Sequence, residues 1–164
     1  MSKEALIAEL KHESTLTRKM LERVPIEKLS WKPHEKSMSL GRLATHVAEI
    51  PHWISDIVNA DEFDFAATPL SPHVVGTSEE LVSICDARTE AALKDLAAID
   101  EADLGKIWTV RRGEQVFYSL PKKVAIRGWG MNHLYHHRGQ LSVYLRLLDI
   151  PVPGMYGPSA DERI

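Results

Sequence analysis

Apolar side chains recur every three to four residues along four stretches of the chain, which is the period of an amphipathic helix. The first predicted helix covers residues 3–24 and stops at Pro25, because proline lacks the amide that the next turn needs. The second covers residues 39–59 with Ser39 as a good N-cap, and Pro51 inside it predicts a kink or a short break.

Residues 61–76 follow the second helix, carry no hydrophobic period and are predicted to form a long loop. The third helix begins with a capping box, since Thr77 and Glu80 have the spacing at which each side chain can accept from the backbone of the other. The inner edge of this helix is apolar, with Arg88 as its one discordant member.

Two short extended pieces around Gly113 are predicted within residues 104–118, as a small hairpin or an irregular loop. The fourth helix is predicted to begin at about Ser119, with Pro121 in its first turn, and to end before Pro151. The pattern therefore favours an all-α four-helix bundle with a small irregular or hairpin insertion before the last helix. The long link between the second and third helices leaves the order of helix directions open.

Composition and charge bear on the number of domains, the cellular compartment and the kinds of partner expected for the chain. Its 164 residues fit a single domain, 1–164. The one cysteine, Cys85, falls on an apolar stripe and cannot form an internal disulfide, so the cytoplasm is the simplest compartment. A formal net charge of -3 without a basic stripe argues against nucleic-acid binding. Residues 1–10 lack a signal-peptide core, and no apolar run reaches the roughly 20 residues of a membrane helix.

His133 and His137 lie four residues apart on the fourth predicted helix, so their imidazoles share one face, one turn apart. The same stripe holds Leu141, which directs both rings toward the bundle interior. Two buried imidazoles without partners would cost about 1–3 kcal/mol each, and a shared metal ion would remove that cost. The pair alone fits either a metal site or buried histidines that bind backbone or tyrosine groups.

His46 lies beside the apolar stripe of the second helix and faces the core from another direction. Three inward histidines from two facing helices can converge on one ion. His136 is rotated by about 100° from His137 and is placed at the edge of the site, while His52 is expected to point elsewhere. The remaining three histidines are predicted surface residues: His12, His34 and His73.

Three polar side chains near the predicted ligands are candidate helpers. Glu49 is one turn from His46, and Gln140 is three residues from His137, so each is placed to hold an imidazole, although a solvated or interhelical role is also open. Tyr144 offers a hydroxyl near the site or an aromatic ring for core packing.

Two further features bear on access to the site. Gly130, one turn before His133, is expected to keep the space next to the ion free of side chains. Tyr156 and Asp161 belong to a proline-rich tail that either folds over the site or caps the end of the bundle.

Residues 131–146 (MNHLYHHRGQLSVYLR) resemble the C-terminal signature of the DinB/YfiT-like superfamily of metalloenzymes, the damage-inducible DinB family rather than the DNA polymerase of that name. The resemblance continues through residues 151–162 (PVPGMYGPSADE). Residues 40–49 (LGRLATHVAE) are similar to the family's N-terminal histidine segment. The first and third helices match only in length and polarity.

The resemblance implies an up-down-down-up four-helix bundle, usually a homodimer, with zinc, nickel or a similar divalent ion held by His46, His133 and His137. Members with assigned roles include thiol-dependent transferases that use low-molecular-weight thiols such as mycothiol or bacillithiol. On this basis we expect a metal-dependent transferase or hydrolase that acts on a small electrophilic molecule.

Two other functions stay open at this stage. One is a non-catalytic metal-binding or stress-response bundle, and the other is a helical interaction module whose histidines bind nothing. Three histidines with open coordination positions favour catalysis, since structural zinc sites are usually closed by four protein ligands. A ferritin-like di-iron site is disfavoured because the paired Glu-x-x-His motifs are missing. Ligating histidines are neutral, so metal affinity is expected to fall below about pH 6.5.

Overall fold

The computed structural model describes residues 2–68 and 71–162, most of them in helices. The described residues form six α-helices: α1 (Lys3–Leu21), α2 (Leu40–Glu49), α3 (His52–Asn59), α4 (Ser78–Ala98), α5 (Lys122–Ala125) and α6 (His133–Leu147). A π-helical segment, Ile126–Asn132, joins α5 to α6, and 3-10 turns lie at Ile26–Lys28 and Glu101–Gly105. Three strands complete the fold: β1 (Glu62–Asp64), β2 (Ile107–Arg112) and β3 (Gln115–Pro121).

The helix starts predicted for the middle of the chain are confirmed by their caps. The Ser39 hydroxyl accepts a hydrogen bond of 3.2 Å from the amide of Arg42 at the start of α2. At the start of α4, the Thr77 hydroxyl accepts from the Glu80 amide at 3.1 Å, and the Glu80 carboxylate accepts from the Thr77 amide at 3.3 Å. The break predicted at Pro51 separates α2 from α3.

The predicted start of the fourth helix is wrong by a few residues. Ser119 pairs with Thr109 across the hairpin, and Pro121 ends β3, so the helix begins only at Lys122. Proline can end a strand because it has no amide N–H to donate to the neighbouring strand. Pro121 therefore belongs to β3 and not to the first turn of the helix, as its sequence position had suggested. The sequence also did not predict the π-helical segment before α6.

The small sheet is formed by segments that are distant in the chain. The hairpin predicted around Gly113 is present, and this glycine has a φ of +55° in the turn between β2 and β3. β1 pairs in parallel with β2, with Phe63 opposite Val110. The expectation of a long loop over residues 61–76 is therefore wrong for β1, because the strand that pairs with β1 lies beyond α4. Positions 69–70 of that predicted loop lie outside the described residues.

Two groups of buried apolar side chains hold the helices together. The first lies among α1, α2, α4 and α6 and includes Val47 and Leu134. The second lies among α1, α3, α4, the sheet and the π-helical segment, and it includes Trp108 and Met131. His133 follows Met131 and precedes Leu134, so it lies where the chain passes from one core to the other. The predicted predominance of helices is confirmed, and the three-stranded sheet departs from the all-α class. The four-helix bundle in up-down-down-up order stays a prediction.

Cys85 packs in the first core with 1% of its surface exposed, and burial raises the pKa of its thiol to about 11. This agrees with the predicted role as a small hydrophobe. No helix of the described residues is both long and apolar enough to cross a bilayer.

Gly130 lets the π-helical segment approach α3 closely. A Cβ atom at this position would lie 2.6 Å from Cγ1 and 3.1 Å from Cδ1 of Ile54. The expectation that Gly130 frees space beside a metal ion is therefore wrong, since the space that it leaves is filled by Ile54. Its role is to set the distance between α3 and the segment that leads to His133.

We predict that Gly130→Ala lowers the free energy of unfolding by about 1–2 kcal/mol, because overpacking against Ile54 outweighs the better helix propensity of alanine. Gly139→Ala is the matched control, since Gly139 is exposed on α6 with no atom within 4 Å of the added Cβ. That variant should gain about 0.5–1 kcal/mol. Urea unfolding of the full chain measures both, and a stabilised Gly130→Ala variant would contradict this packing account.

Candidate metal centre

Three histidines from two helices meet inside the bundle, each of them partly buried. His46 lies on α2, while His133 and His137 lie on the first two turns of α6. One ring nitrogen from each lies within 4.8 Å of the others. The ring centroids are 4.7–4.9 Å apart. The structure thus brings together the three residues that the sequence analysis singled out as metal ligands.

The π-helical segment orients His133. The amide of His133 donates to the carbonyls of Gly128 and Gly130, and the carbonyl of Trp129 accepts instead from Nδ1 of the His133 ring at 3.2 Å. Since a carbonyl oxygen can only accept, Nδ1 carries the proton and Nε2 keeps its lone pair. That Nε2 lies 3.1 Å from Nε2 of His46. The local widening of the helix therefore fixes the tautomer of a candidate ligand.

Gln140 holds the third imidazole in the same manner. Its side-chain oxygen lies 2.7 Å from Nδ1 of His137, so Nδ1 donates and Nε2 is left with its lone pair. Gln140 was a candidate partner of this histidine because the three-residue spacing puts the two side chains on neighbouring turns. The observed contact has the geometry of the outer hydrogen bonds that usually orient metal-bound histidines.

All three imidazoles are held in the neutral form. Burial, followed by repulsion from His133 and His137, lowers the pKa of His46 to about 3. Burial and then the charge of His137 lower the pKa of His133 to about 4. Burial also lowers the pKa of His137, against an opposing contribution from the Gln140 hydrogen bond. Neutral imidazole is the form that binds metals.

The other two candidate helpers have different partners. Glu49 does not hold His46; its carboxylate accepts from the amide of His73 at 3.0 Å and lies 2.6 Å from Nδ1 of that ring. The Tyr144 ring packs edge-to-face against Trp31 with centroids 5.5 Å apart, which is the packing role considered for it, and its hydroxyl donates to the Met38 carbonyl at 3.2 Å. The local spacing that suggested Glu49 did not include the loop that reaches back to it.

The remaining histidines near the site lie outside the cluster of three. His136 is exposed, and its ring centroid is 4.8 Å from that of His137, which agrees with a place at the edge of the site. His52 lies 3.4 Å from Asp56 and lines the same cleft as His46. His73 is exposed as predicted, but its contact with Glu49 brings it into the wall of that cleft. No local sequence signal predicts this contact.

A cleft of about 340 Å³ opens beside His46 between α2, α3, α4 and the chain after β1. Its wall carries two guanidinium groups, from Arg42 and Arg88, and two aromatic rings, from Trp53 and Phe63. Arg42 is one turn before His46 on the same helix face, so the four-residue spacing was a signal that the sequence analysis missed. The cleft provides room for a small molecule next to His46.

A buried ion pair fixes the C-terminal tail and the far side of α6. Arg138 is 3% exposed, binds the Glu13 carboxylate of α1 at 2.5 Å, and donates to the Tyr156 hydroxyl at 2.6 Å. Asp161 binds Arg146 at 2.5 Å. The described contacts of the tail are with the bundle rather than with the three histidines. The alternative of a tail that caps the bundle is therefore the one that the contacts favour.

The donor set fits a divalent ion. In a tetrahedral site with metal–nitrogen bonds of about 2.0–2.1 Å, the nitrogens lie about 3.3 Å apart. His46 Nε2 and His133 Nε2 are 3.1 Å apart, and the third nitrogen lies within 4.8 Å. The Nδ1 atoms of His133 and His137 both have acceptors, so the free lone pairs of these two rings are on Nε2.

Comparison with known proteins places the chain in a family. The model of the DinB family matches residues 1–163. Among curated proteins, the Bacillus subtilis (strain 168) protein YrdA, which is uncharacterized, is 26% identical over 153 residues, or 92% of this chain and 85% of YrdA.

Solved structures give the same result. A DinB-like protein from Bacillus cereus ATCC 10987 has a TM-score of 0.72 at 25% identity, covering 95% of this chain and 100% of that one. The DinB-like protein YjoA from Bacillus subtilis has a TM-score of 0.69 at 19% identity, with coverages of 90% and 96%. A DinB-family member from Exiguobacterium sibiricum 255-15 has a TM-score of 0.63 at 22% identity, with coverages of 97% and 95%. The chain belongs to the DinB family.

Proposed function

We propose that this chain is a metal-dependent enzyme that holds one divalent ion, zinc or nickel, through His46, His133 and His137. The observation that supports this is the convergence of three neutral imidazoles, with ring nitrogens within 4.8 Å of one another, beside a cleft of about 340 Å³. The reaction class that we propose is thiol-dependent transfer or hydrolysis on a small electrophilic molecule.

The number of protein ligands supports catalysis over a purely structural ion. Among the described residues, the group of side chains that could hold an ion has three members. Structural zinc sites usually close with four protein ligands, whereas catalytic sites keep a position open. A bound divalent ion supplies Lewis acidity, which lowers the pKa of a coordinated water or thiol toward neutrality. The same count speaks against an ion that only ties helices together.

The surrounding residues have separate tasks in this proposal. The Trp129 carbonyl and the Gln140 side chain hold two imidazoles in one tautomer, so the lone pairs are oriented before an ion arrives. The cleft beside His46 receives the small-molecule substrate. The homodimer and the low-molecular-weight thiol follow from the family resemblance, and the cytoplasmic setting follows from the single cysteine. All three stay predictions.

Metal content is the first test. We expect protein purified without a His tag to carry about one zinc or nickel ion per chain, because three preoriented nitrogen ligands bind such ions tightly. Elemental analysis should find His46→Ala and His137→Ala depleted, and Gln140→Ala weakened in metal affinity by about 10–100-fold. His12→Ala is the matched control, since His12 is exposed on α1. A wild-type metal content equal to that of His46→Ala would refute the site.

The state of the imidazoles can be measured directly. In metal-free protein, the pKa values of about 3 for His46 and about 4 for His133 mean that both rings stay neutral well below the usual value of 6.5. We therefore expect NMR spectra to show no titration midpoint for either ring between about pH 8 and pH 5. Protons should compete with the metal only at lower pH than the sequence alone indicated. Midpoints near 6.5 for these two rings would contradict the buried, neutral cluster.

The reaction class needs an activity screen. Metal-loaded protein is incubated with low-molecular-weight thiols and a panel of small electrophiles, with and without each thiol. We expect transfer or hydrolysis that disappears in His137→Ala and survives in His12→Ala. Turnover that is unchanged in His137→Ala would exclude the metal-dependent reaction, and a metal-loaded protein inactive on every pair would favour the non-catalytic binder.

A further inference from the structure

The cleft beside His46 contains more charge than the three histidines require. Two arginines and two carboxylates line it, together with two aromatic rings. Arg42 is on α2, Arg88 is on α4, and Asp56 is on α3, so the charges come from three separate helices. Their pairing within the protein indicates what the cleft is suited to bind.

The two carboxylates of the cleft already have close partners. Glu49 lies 2.6 Å from the His73 ring and accepts from the amide of the same residue at 3.0 Å. Asp56 lies 3.4 Å from the His52 ring. These contacts occupy the acidic groups on both sides of the cleft.

Arg42 has no short acceptor for one of its terminal nitrogens. Nη1 of Arg42 is buried without a hydrogen-bond partner among the described residues, and the Glu49 carboxylate is 3.8 Å away. A buried guanidinium nitrogen without an acceptor lowers the stability of the fold, because the loss of a hydrogen bond to a charged group costs more free energy than the loss of a neutral one. The rest of the Arg42 side chain, which is 36% exposed, lines the cleft and can donate to an oxyanion there.

Arg88 is the second cation without a hydrogen-bonded partner. It interrupts the apolar inner edge of α4, which turns its side chain toward the bundle, and it is only partly exposed. None of the described residues accepts a hydrogen bond from it. Burial raises the pKa of Asp56, and the charges of His52 and then Arg88 oppose this rise. Position 88 is therefore one where an apolar residue would be usual, and it carries instead a guanidinium group that lines the cleft.

The rest of the cleft wall is apolar. Trp53 and Phe63 line it with ring centroids 4.8 Å apart, in an edge-to-face arrangement. The volume of about 340 Å³ is at the small end of the range for ligand sites, which excludes large ligands. Guanidinium groups prefer planar oxyanions, and a carboxylate offers two oxygens to their donors.

We propose that this cleft binds a small organic carboxylate, with its carboxylate group at Arg42 and Arg88 and its apolar part against Trp53 and Phe63. The proposal rests on the proposed function for its biological meaning, because it names the substrate class of the metal centre as small acids. The binding itself involves the arginines and can be measured without any metal.

Phenylacetate is the probe, and the full chain freed of metal by a chelator is the protein. We expect saturable binding in calorimetry, with NMR shifts at the Trp53 indole. Phenylacetamide, which has the same shape without the charge, should bind about tenfold more weakly or worse. Arg42→Gln and Arg88→Gln should each weaken phenylacetate binding by about tenfold, because each removes a charged donor.

Two control variants separate this site from general charge effects. Arg88→Lys should bind phenylacetate better than Arg88→Gln, since it keeps the charge. Arg23→Gln should bind as the wild type does, because Arg23 is exposed and does not line the cleft. Thermal melting followed by circular dichroism establishes that each variant is folded. If one arginine variant fails to fold, the other one decides.

Several outcomes would overturn the proposal: no saturable binding, equal binding of acid and amide, wild-type affinity in both glutamine variants, or binding that appears only after metal is added. The last result would mean that the carboxylate coordinates the ion. Conversely, carboxylate binding in a protein that takes up no metal would support the cleft assignment and refute the metal centre, so the two proposals fail separately.

Discussion

The arrangement of this protein depends on three partly buried imidazoles that lie close together in their neutral form. His46 and His133 approach to 3.1 Å between ring nitrogens, and burial together with mutual repulsion keeps both rings neutral. The bundle places this polar cluster between two apolar cores. Nε2 of His133, whose Nδ1 donates to the Trp129 carbonyl, keeps a lone pair that faces Nε2 of His46, and nitrogens that converge in this way are suited to a shared cation.

Backbone geometry around α6 prepares the cluster. Gly130 allows the π-helical segment to lie against Ile54, and the widened turn leaves the Trp129 carbonyl to accept from His133. Gln140 does the same for His137 within regular helix. The packing of the segment against α3 and the tautomer of His133, a candidate ligand, are thereby coupled through one short stretch of chain. On the opposite face of α6, Arg138 anchors the helix to α1 through a buried ion pair.

The features of the site and fold that depend on helical periodicity and local spacing could be predicted from the sequence. The three histidines were predicted because the 3.6-residue period puts His133 and His137 on one face, and the caps at Ser39 and Thr77 followed from local spacing. Non-local contacts were missed: β1 pairs with a strand beyond α4, and His73 takes Glu49 away from His46. The hydrophobic pattern also did not predict the π-helical segment.

The most direct measurement is anomalous diffraction from crystals of the metal-loaded protein, recorded on both sides of the metal absorption edge. We expect one anomalous peak per chain, about 2.0–2.2 Å from a ring nitrogen of each of His46, His133 and His137, with His137 Nδ1 still hydrogen-bonded to Gln140. A loaded crystal with no peak between these rings, or with the peak on other side chains, would contradict it.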